Sequence, residues 1–554
     1  MKKWEVLNKL KAKNIIDVLL KNRALKTERE KKEFLNPTTL ENISLKSLKI
    51  SETEIKKAIN RVRKAVKAKE QIIIYGDYDA DGVCATAIMW ETLYSLNKKT
   101  LPYIPGRFNE GYGLNARSVE NIKSQNPNLK LIITVDNGIV AYDGVKKANE
   151  LGIDVIITDH HQKGNKLPKV FATIHTTEIG GAGVSWIFSR EILKSLKIRN
   201  WKLKIENGLD LCAIGTISDQ LSLLGPNRSF AKYGLEVLSN TKRTGLLALF
   251  EDAKIRRESG DWQVGTYEVN YVIAPRLNAM GRLEHAIDSL RLLCTNSRVR
   301  ARELAGLLGK TNLKRQKVVD EVLLHAMDRV GDKEKIIILA HESYHEGVIG
   351  LAASKLVERF YRPAIVVSKG EKYSKASARS ISGFNIIEVL RNLKNKWIEG
   401  GGHPMAAGFT LETEKIELFS RELNKLAKPL LTDEVLQRKL KIDLEMDFGS
   451  ANWELFEEMK KFEPTGIGNP TPSFVTRKVE LLEARLVGRE SKHVKLVLRK
   501  GGIVFGAIYF GGGELFPQLV TGAKVDVAYM LSENIWNGER KLELRIKDLR
   551  PLAK

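Results

Sequence analysis

The chain has 554 residues, of which 43% are hydrophobic and 29% are charged. This composition supplies several packed cores and excludes wholesale disorder. Lysine and arginine outnumber aspartate and glutamate by 91 to 67, a formal net charge of +24, which makes nucleic acid the first candidate partner. A generally charged surface, the alternative, would raise both signs together and does not account for the imbalance.

Several classes of protein are disfavoured before any motif is considered. No run of about 18 apolar residues occurs, so the sequence predicts no transmembrane helix and no membrane association. The N-terminus, Met-Lys-Lys-Trp-Glu-Val, lacks the apolar stretch of a signal peptide. The three cysteines, Cys84, Cys212 and Cys294, are an odd number without C-x-x-C spacing. That pattern excludes a disulfide framework and fits a cytoplasmic protein.

The first half of the chain predicts a helical start followed by an α/β domain. Residues 1–50 have helical patterning, and the sequence predicts buried strands at 71–76, 129–135, 153–158 and 170–175 with helices between them. Strands that alternate with helices indicate βαβ units and a parallel sheet covered on both faces. We therefore expect one α/β domain over residues 51–220.

The second half predicts three further segments. Residues 221–330 are a helical connection, and the apolar spacing from Arg298 to Val330 suits one long helix. A second α/β domain follows at 331–431. Residues 432–554 contain about five short strands broken by glycine, which is typical of a small β-barrel of the OB type. The predicted fold class is therefore α/β, with two parallel-type domains joined by a long helix and followed by a barrel.

Acidic and imidazole groups follow three consecutive predicted strands of the first domain. In open α/β sheets, ligands bind in the crevice beyond the carboxyl ends of the strands. Carboxylates that converge there repel one another unless cations lie between them, and oxygen ligands with imidazoles suit Mn²⁺ or Mg²⁺. A pair of such ions activates water in phosphodiester hydrolysis. The alternative, that each aspartate only caps a turn, is less consistent with three strand ends and a histidine pair. The groups are Asp77, Asp79, Asp81, Asp136, Asp159, His160 and His161.

These residues carry a resemblance to a known family. The ordered motifs resemble those of the DHH phosphoesterases and, within that family, the bacterial exonucleases specific for single strands. Two positions depart from the family's usual pattern. This chain has Glu346 where the family often has Pro, and Ala378 where the family often has Gly in a Ser-Gly-Arg sequence. The matching motifs are Asp77-Tyr-Asp-Ala-Asp-Gly82, Asp136-Asn-Gly138, Asp159-His-His161, Ala213-Ile-Gly-Thr-Ile-Ser-Asp219, Pro275-Arg-Leu-Asn-Ala-Met-Gly-Arg282, Glu346-Gly-Val-Ile-Gly350, Gly401-Gly-His-Pro-Met-Ala-Ala-Gly408 and Glu463-Pro-Thr-Gly-Ile-Gly-Asn-Pro470.

The resemblance implies a role for each candidate residue. Asp77 and Asp79 would hold one of two Mn²⁺ or Mg²⁺ ions, and the other ion would bind to Asp81, His160 and Asp219. Asp136 would bridge both ions, and Asp136, His160 and His161 would be the catalytic residues. The residues that would bind substrate come from both α/β domains: Arg107, Tyr112, Arg276, Asn278, Arg282, Ser377, Arg379, Gly401, Gly402 and His403.

The implied activity is hydrolysis of single-stranded DNA from the 5′ end to mononucleotides, in DNA repair and recombination. The resemblance further implies a monomer that works with a single-strand binding protein and a helicase. One alternative is a DHH phosphodiesterase for oligoribonucleotides or cyclic dinucleotides, but such small substrates need no extended barrel. Another is a non-enzymatic replication scaffold, which the intact acidic and histidine residues disfavour.

The barrel is expected to hold the strand, and the chemistry is expected to need nothing after Leu431. Tyr509, Phe510 and Trp536 could stack on bases, although core packing is an equally good interpretation for each. The alternative for this region is that the segment from Phe462 to Asn469 docks on the second α/β domain and is needed for folding.

Overall fold

The computed structural model describes residues 2–9, 14–258, 260–331, 334–393, 396–536 and 538–552. Its Cα positions form two compact units. The barrel unit comprises Met1–Asn42, Gln220–Lys232 and Lys439–Lys554, and the larger unit comprises Ile43–Asp219 and Tyr233–Arg438. In the part of the chain so described, no helix has the length and apolar character needed to cross a membrane. The boundaries predicted at residues 50, 220, 330 and 431 stay predictions.

The helices are named here in chain order. They are α1 (Ile15–Asn22), α2 (Glu28–Leu35), α3 (Glu52–Lys67), α4 (Ala80–Leu96), α5 (Ala116–Gln125), α6 (Tyr142–Glu150), α7 (Gly181–Ser195), α8 (Trp201–Glu206), α9 (Leu209–Ser218), α10 (Gly225–Ser239), α11 (Thr244–Asp252), α12 (Thr266–Glu268), α13 (Ala274–Leu283), α14 (Ile287–Cys294), α15 (Arg298–Met327), α16 (Ile349–Phe360), α17 (Ile386–Arg391), α18 (Ile416–Ala427), α19 (Asp433–Leu436) and α20 (Trp453–Lys460).

The strands follow the same convention. They are β1 (Lys3–Val6), β2 (Gln71–Tyr75), β3 (Thr100–Tyr103), β4 (Leu129–Val135), β5 (Asp154–Asp159), β6 (Ala172–His175), β7 (Arg257–Glu258), β8 (Asp261–Trp262), β9 (Ile337–His341), β10 (Ala364–Ser368), β11 (Tyr373–Arg379), β12 (Glu399–His403), β13 (Ala406–Glu412), β14 (Lys439–Ile442), β15 (Leu444–Glu445), β16 (Phe474–Val487), β17 (His493–Lys500), β18 (Ile503–Tyr509), β19 (Lys524–Trp536) and β20 (Glu539–Pro551).

The first sheet of the larger unit has five parallel strands in the order β3-β2-β4-β5-β6. Its central strands are runs of isoleucine, leucine and valine that are buried along nearly their whole length, as a sheet covered on both faces requires. All four predicted strands are present. The prediction missed β3, a four-residue edge strand that contains Pro102, because proline weakens a strand signal and is tolerated only at a sheet edge.

The long helix predicted from Arg298 to Val330 is confirmed as α15, 30 residues ending at Met327. It precedes a second sheet with the strand order β12-β13-β11-β10-β9. In that sheet β9 and β10 pair in parallel, and the other three pairs are antiparallel. The parallel pairing expected for this domain is thus limited to its βαβ unit, β9-α16-β10.

The predicted OB-like barrel is confirmed in the barrel unit. Strands β16, β17, β18, β20 and β19 follow one another in the sheet, and β16 also pairs with β19, which closes the barrel. Alternate side chains along β17, at Val494, Leu496 and Leu498, point into the core and are fully buried. The helical prediction for the first residues is wrong at β1, which pairs in parallel with β14. The partner lies more than 430 positions along the chain, so no local pattern could indicate it.

The segment from Phe462 to Asn469 packs within the barrel unit, on residues 222–228. The Leu223 amide donates to the Ile467 carbonyl at 2.7 Å, and the buried guanidinium of Arg228 donates to the Phe462 carbonyl at 3.0 Å. Four further carbonyls accept from the same guanidinium, those of Phe34, Lys461, Glu463 and Pro464. Its other partners in the barrel unit are Phe34 at the end of α2, whose ring lies 5.4 Å from that of Phe462, and Arg23, whose Nε donates to Asn469 Oδ1 at 2.6 Å. The alternative that the segment docks on the second α/β domain stays untested.

Candidate active site

The carboxyl ends of β2, β4 and β5 bring the predicted acidic and imidazole groups together, because these three strands are neighbours in one parallel sheet. Asp79 caps the N-terminus of α4 and accepts a hydrogen bond from the Gly82 amide. Asp136 directly follows β4 and lies in the left-handed backbone region, with φ 61°. A non-glycine residue in that conformation is strained, and such strain is concentrated at functional sites.

The donor atoms form three overlapping groups, and within each group they lie no more than 4.8 Å apart. His160 Nε2 lies 3.0 Å from Asp136 Oδ1, 3.6 Å from Asp219 Oδ2 and 3.9 Å from Asp81 Oδ2. The groups are Asp77, Asp79 and Asp136; Asp81, His160 and Asp219; and Asp136, His160 and His161. Asp136 and His160 are each shared by two groups, so the structure allows two neighbouring ions with a common ligand.

Burial makes this cluster costly for the protein alone. Burial and neighbouring carboxylates raise the pKa values of Asp77 and Asp136 well above the ordinary range. Burial and Asp79 raise the pKa of Asp81 to about 7, and burial and Asp81 raise the pKa of Asp219 to about 8. Divalent cations would remove this repulsion. Carboxylate oxygens with an imidazole fit Mn²⁺ or Mg²⁺. Among the described residues the buried Asp136 Oδ1 accepts no well-aligned hydrogen bond, although His160 Nε2 lies 3.0 Å away, so this oxygen is available as a ligand atom.

The N-terminus of α7 supports the cluster, a feature that the sequence reasoning missed. The amides of Gly181 and Ala182 donate to the Asp81 carboxylate at 2.7 and 2.9 Å, as helix N-termini do for anions. A Cβ atom on Gly181 would lie 2.3 Å from Asp136 Oδ1, so only glycine fits there. The signal was present in Gly180-Gly-Ala-Gly183, directly before an apolar helix.

His161 belongs to a second hydrogen-bonded group beside the cluster. Its Nδ1 lies 2.8 Å from Asp159 Oδ1, and its carbonyl lies 2.7 Å from His175 Nε2. Burial lowers the pKa of His161, but the hydrogen bond with Asp159 and the negative charges of Asp159, Asp219 and Asp77 together outweigh this and raise it to about 9. The predicted substrate contact Tyr112 lies close by, with its hydroxyl 3.4 Å from His161 Nε2. Asp159 and His175 therefore orient a half-buried, cationic His161.

The predicted substrate residues of the Pro275–Arg282 motif make different contacts. Asn278 Oδ1 accepts a hydrogen bond from the Ala80 amide at 2.7 Å. It therefore supports the turn that carries Asp79 and Asp81 of the carboxylate cluster. Arg276 donates to the Val272 carbonyl and lies 3.8 Å from Asp252. Arg282 reaches a cleft and donates to the Gly347 carbonyl at 3.2 Å. A direct substrate contact for Arg276 or Asn278 stays a prediction.

The cleft of the larger unit has a volume of about 570 Å³ and lies between the two α/β domains. The predicted residues Arg107, Tyr112, Arg282, Ser377 and Arg379 all line it. Gly401, Gly402 and His403, on the exposed strand β12, are not among its lining residues, and their predicted role stays untested. The sequence reasoning missed several lining residues: Tyr78, Phe108, Ile349, Lys375, Gly400 and Gly408.

Basic side chains outnumber acidic ones along the cleft, which is lined by Arg107, Arg282, Lys375 and Arg379 and by Glu346 and Glu399. Burial and repulsion from Arg107, Arg315 and Arg379 lower the pKa of Arg282 to about 10, and burial also lowers the pKa of Arg379. The Arg107 guanidinium lies 5.1 Å from the centre of the Tyr78 ring. Arginines that lack a carboxylate partner within a cavity favour an anionic ligand, and their planar groups match phosphate oxygens.

The surface of the barrel unit has a smaller positive region. Phe510 is 52% exposed, and the Arg545 guanidinium lies 5.2 Å from the centre of its ring. Burial and repulsion from Arg545 and Lys2 lower the pKa of Lys547. Tyr509, the other candidate for base stacking, is half-buried. The side chain of Trp536 lies outside the described residues.

Comparison with known proteins gives three domain matches. Residues 71–216 match the N-terminal domain of the DHH family, 333–428 match the DHHA1 domain, and 442–548 match the RecJ OB domain. A crystal structure of RecJ from Thermus thermophilus with Mn²⁺ is similar over 100% of this chain and 80% of that chain, with a TM-score of 0.83 and 28% sequence identity. The same protein with Mg²⁺ gives a TM-score of 0.78 at 27% identity, over 79% of that chain.

Curated relatives named single-stranded-DNA-specific exonuclease RecJ match most of the chain. The Bacillus subtilis protein is 39% identical over 89% of this chain, which spans 63% of that relative's length. The Haemophilus influenzae protein is 31% identical over 95% of this chain and 93% of its own length. The Escherichia coli protein is 31% identical, with 90% of each chain covered. By this similarity over nearly the whole length of two relatives, the chain belongs to the RecJ family.

Proposed function

We propose that this protein is a metal-dependent exonuclease that hydrolyses single-stranded DNA from the 5′ end to mononucleotides. The observation that carries this proposal is a buried cluster of carboxylates and imidazoles beside an arginine-lined cleft of about 570 Å³. The acidic cluster suits cations, and the cleft suits an anionic strand. The activity named for the RecJ relatives also supports the proposal.

The chain's own residues have distinct roles in this mechanism. Two Mn²⁺ or Mg²⁺ ions, when bound, supply an activated water and stabilise the leaving oxygen. Asp77 and Asp79 would hold one ion, Asp81, His160 and Asp219 would hold the other, and Asp136 would be a ligand of both. The α7 amides at Gly181 and Ala182 keep Asp81 oriented, and the cationic His161 contacts the scissile phosphate.

The arginines of the cleft account for polarity. A terminal phosphate carries more negative charge than an internal one, so a guanidinium that donates to two of its oxygens binds it more strongly. Arg379 Nη1 donates to Ser377 Oγ at 3.0 Å and to the Ala378 carbonyl at 2.8 Å, which holds the guanidinium in place on the cleft wall. We assign Arg379, together with Arg107, to the 5′-terminal phosphate.

The cellular setting is part of the same proposal. DNA repair and recombination, with a single-strand binding protein and a helicase as partners, follow from the family resemblance. The three cysteines are all free, which supports work in a reducing cytoplasm. A monomer is proposed as the working form, and light scattering on the purified protein measures it directly.

A digest of labelled nucleic acids tests the proposal. Single strands labelled at either end, duplexes and short RNAs are incubated with the protein, with and without Mn²⁺. We expect release of the 5′ label as mononucleotide from single-stranded DNA, only with the metal ion. Faster cleavage of short RNAs than of DNA, or release from the 3′ end first, would contradict it.

A further inference from the structure

The turn that carries Asp79 and Asp81 begins α4, and its backbone amides need acceptors from outside the helix. The first amides of any helix have no partner within it. The Asp79 carboxylate accepts from the Gly82 amide at 2.9 Å, which leaves the amide of Ala80, between the two aspartates. Ala80 is 1% exposed, and a buried amide without an acceptor is costly. The turn therefore depends on the partner of Ala80.

Asn278, on α13, supplies that acceptor. Its Oδ1 accepts a hydrogen bond from the Ala80 amide at 2.7 Å. A backbone amide only donates, so the oxygen of this side chain, and not its nitrogen, faces the turn. Within the part of the chain that the structure describes, the side-chain nitrogen of Asn278 makes no hydrogen bond. The contact with the turn is thus the interaction that the fold gives this side chain.

The helix α13 is held firmly against the same turn. A Cβ atom on Gly281 would lie 2.6 Å from the carbonyl oxygen of Tyr78, so glycine is needed for the helix to pack this closely. The Leu277 carbonyl of α13 also accepts from the buried Ser289 Oγ at 2.9 Å. Because α13 is fixed on more than one side, the oxygen of Asn278 determines where the turn lies.

The two aspartates of the turn differ in how they are oriented. Both oxygens of Asp81 accept from backbone amides of α7, those of Gly181 and Ala182. The Asp79 side chain accepts, among the residues described, from the Gly82 amide of its own helix alone. The direction of the Asp79 carboxylate therefore depends on the turn, and the turn depends on Asn278.

We propose that Asn278 is a positioning residue for the metal ion that Asp77 and Asp79 would hold. Its side-chain oxygen fixes the Ala80 amide and thereby the Asp79 carboxylate, and it does not act by touching the DNA strand. This inference rests on the proposed function, because it takes the cluster to bind Mn²⁺ or Mg²⁺. Removing a group that orients a metal ligand typically lowers metal affinity by about 10–100-fold.

The two possible roles of Asn278 use opposite ends of its side chain. Positioning needs the oxygen as an acceptor, whereas a contact with a phosphate of the strand needs the nitrogen as a donor. Asn278→Asp keeps an acceptor for the Ala80 amide but replaces the donor by a negative charge. Asn278→Leu has a similar volume and neither group. The pair of variants therefore separates the two roles.

The Mn²⁺ affinity of the full chain without DNA tests the proposal, with free Mn²⁺ measured by electron paramagnetic resonance. Asn278→Leu should weaken Mn²⁺ binding by about tenfold or more, and Asn278→Asp should bind Mn²⁺ at least as tightly as the wild type. Asn97→Leu is the matched control, because Asn97 is buried at the other end of α4 and accepts from the Lys99 amide at 3.1 Å. It should lower the Tm and leave the Mn²⁺ affinity unchanged.

Strand binding in EDTA separates positioning from substrate contact. A fluorescent 5′-phosphorylated oligo-dT of about eight nucleotides is the probe, and its anisotropy should report the same affinity for Asn278→Leu and the wild type. Circular dichroism checks the fold of each variant. If leucine prevents folding, Asn278→Ala removes the same oxygen without added bulk, and the same losses are expected.

Several outcomes would overturn the role of Asn278. They are wild-type Mn²⁺ affinity in Asn278→Leu, an equal loss in Asn97→Leu, a loss in Asn278→Asp as large as in the leucine variant, and weaker strand binding by Asn278→Leu in EDTA. A wild-type chain that binds no Mn²⁺ would refute the proposed function itself. A wild-type chain that binds Mn²⁺, with no change in the Asn278 variants, would refute only this inference.

Discussion

The two units treat buried charge in opposite ways. In the barrel unit, the guanidinium of Arg228 is 1% exposed, and five backbone carbonyls accept its hydrogen bonds. In the larger unit, Asp77, Asp81 and Asp136 are equally buried, but they face one another and His160. The barrel unit thus compensates its buried charge with its own backbone carbonyls, whereas the negative charges of the carboxylate cluster stay uncompensated until cations bind. Buried charge that a fold leaves uncompensated marks the functional site.

Removing the shared carboxylate should produce the largest effect. Asp136→Ala is expected to lower the rate of strand hydrolysis by about 100-fold or more, since it removes a ligand shared by two of the three groups of donor atoms. The fold should persist, because repulsion within the cluster decreases. Single-turnover kinetics with circular dichroism measure both, and Asp143→Ala, an exposed carboxylate on α6, is the matched control. A variant that kept most of its rate would refute the bridging role.

Removing the barrel's buried cation should damage stability instead. Arg228→Met removes the donor from the carbonyls of Phe34, Lys461 and Glu463, whereas those of Phe462 and Pro464 still accept from Asn469 Nδ2. Each buried unsatisfied group costs about 1–3 kcal/mol. We expect the free energy of unfolding of the barrel unit to fall by about 3 kcal/mol or more. Urea unfolding followed by barrel tryptophan fluorescence measures this, with the exposed Arg29→Met as the control. Unchanged stability would contradict the structural role.

The same contacts alter the expectation that nothing after Leu431 matters for the chemistry. Four of the five carbonyls that hold Arg228 lie in residues 461–464. A chain that ends near Leu431 therefore leaves Arg228 exposed. Arg228 lies only nine positions after Asp219, a residue of the carboxylate cluster. We now expect such a truncation to weaken metal binding as well as strand binding. Equal Mn²⁺ affinity in the full and shortened chains would contradict this.

The cleft arginines allow a test of polarity with an intermediate effect. Arg379→Ala should cost about 1.5–3 kcal/mol with a 5′-phosphorylated strand, the range for a charge-assisted hydrogen bond. The loss should be smaller with a 5′-hydroxyl strand, so the preference between the two substrates should shrink. Steady-state kinetics on both substrates measure it. An equal loss on both would make Arg379 a general backbone contact.

The raised pKa values predict how pH affects the metal-free protein. A carboxyl with a raised pKa in the folded state binds its proton more tightly there, so stability falls as pH rises toward that pKa. Asp81 and Asp219, at about 7 and 8, act in this direction, and so does His161, at about 9. The Tm in EDTA should therefore fall between about pH 6.5 and 8. Bound Mn²⁺ should flatten the profile, and a flat profile in EDTA would contradict the assignment.

The barrel surface should contribute a modest, salt-dependent effect. Arg545→Ala and Phe510→Ala should each weaken binding of single-stranded DNA, because the first removes a phosphate contact and the second a stacking surface. The arginine variant alone should reduce the slope of log affinity against log salt, by about 0.7. Affinity measured in EDTA over a salt series separates the two. Identical slopes in both variants would refute the assigned roles.

Much of the architecture could be predicted from local patterns. The alternation of apolar strands and helices predicted the first sheet, and the aspartates at three strand ends placed the cluster, because parallel strands end at one edge. The approach of Gly181 to Asp136 and the pairing of β1 with β14 could not be predicted in this way. They depend on contacts between distant parts of the chain, which no local periodicity encodes. Arg228, one more arginine in a basic helix, gave no signal of its buried role.

Counting bound Mn²⁺ ions tests the central claim most directly, namely that the carboxylate cluster is completed by cations. Equilibrium dialysis and electron paramagnetic resonance, at pH 7.5, measure the number of ions per chain and their mutual coupling. The account predicts two magnetically coupled ions for the wild-type protein, and loss of the coupling in Asp136→Ala. A wild-type chain that binds no ion, or that hydrolyses single-stranded DNA equally well in EDTA, would contradict it.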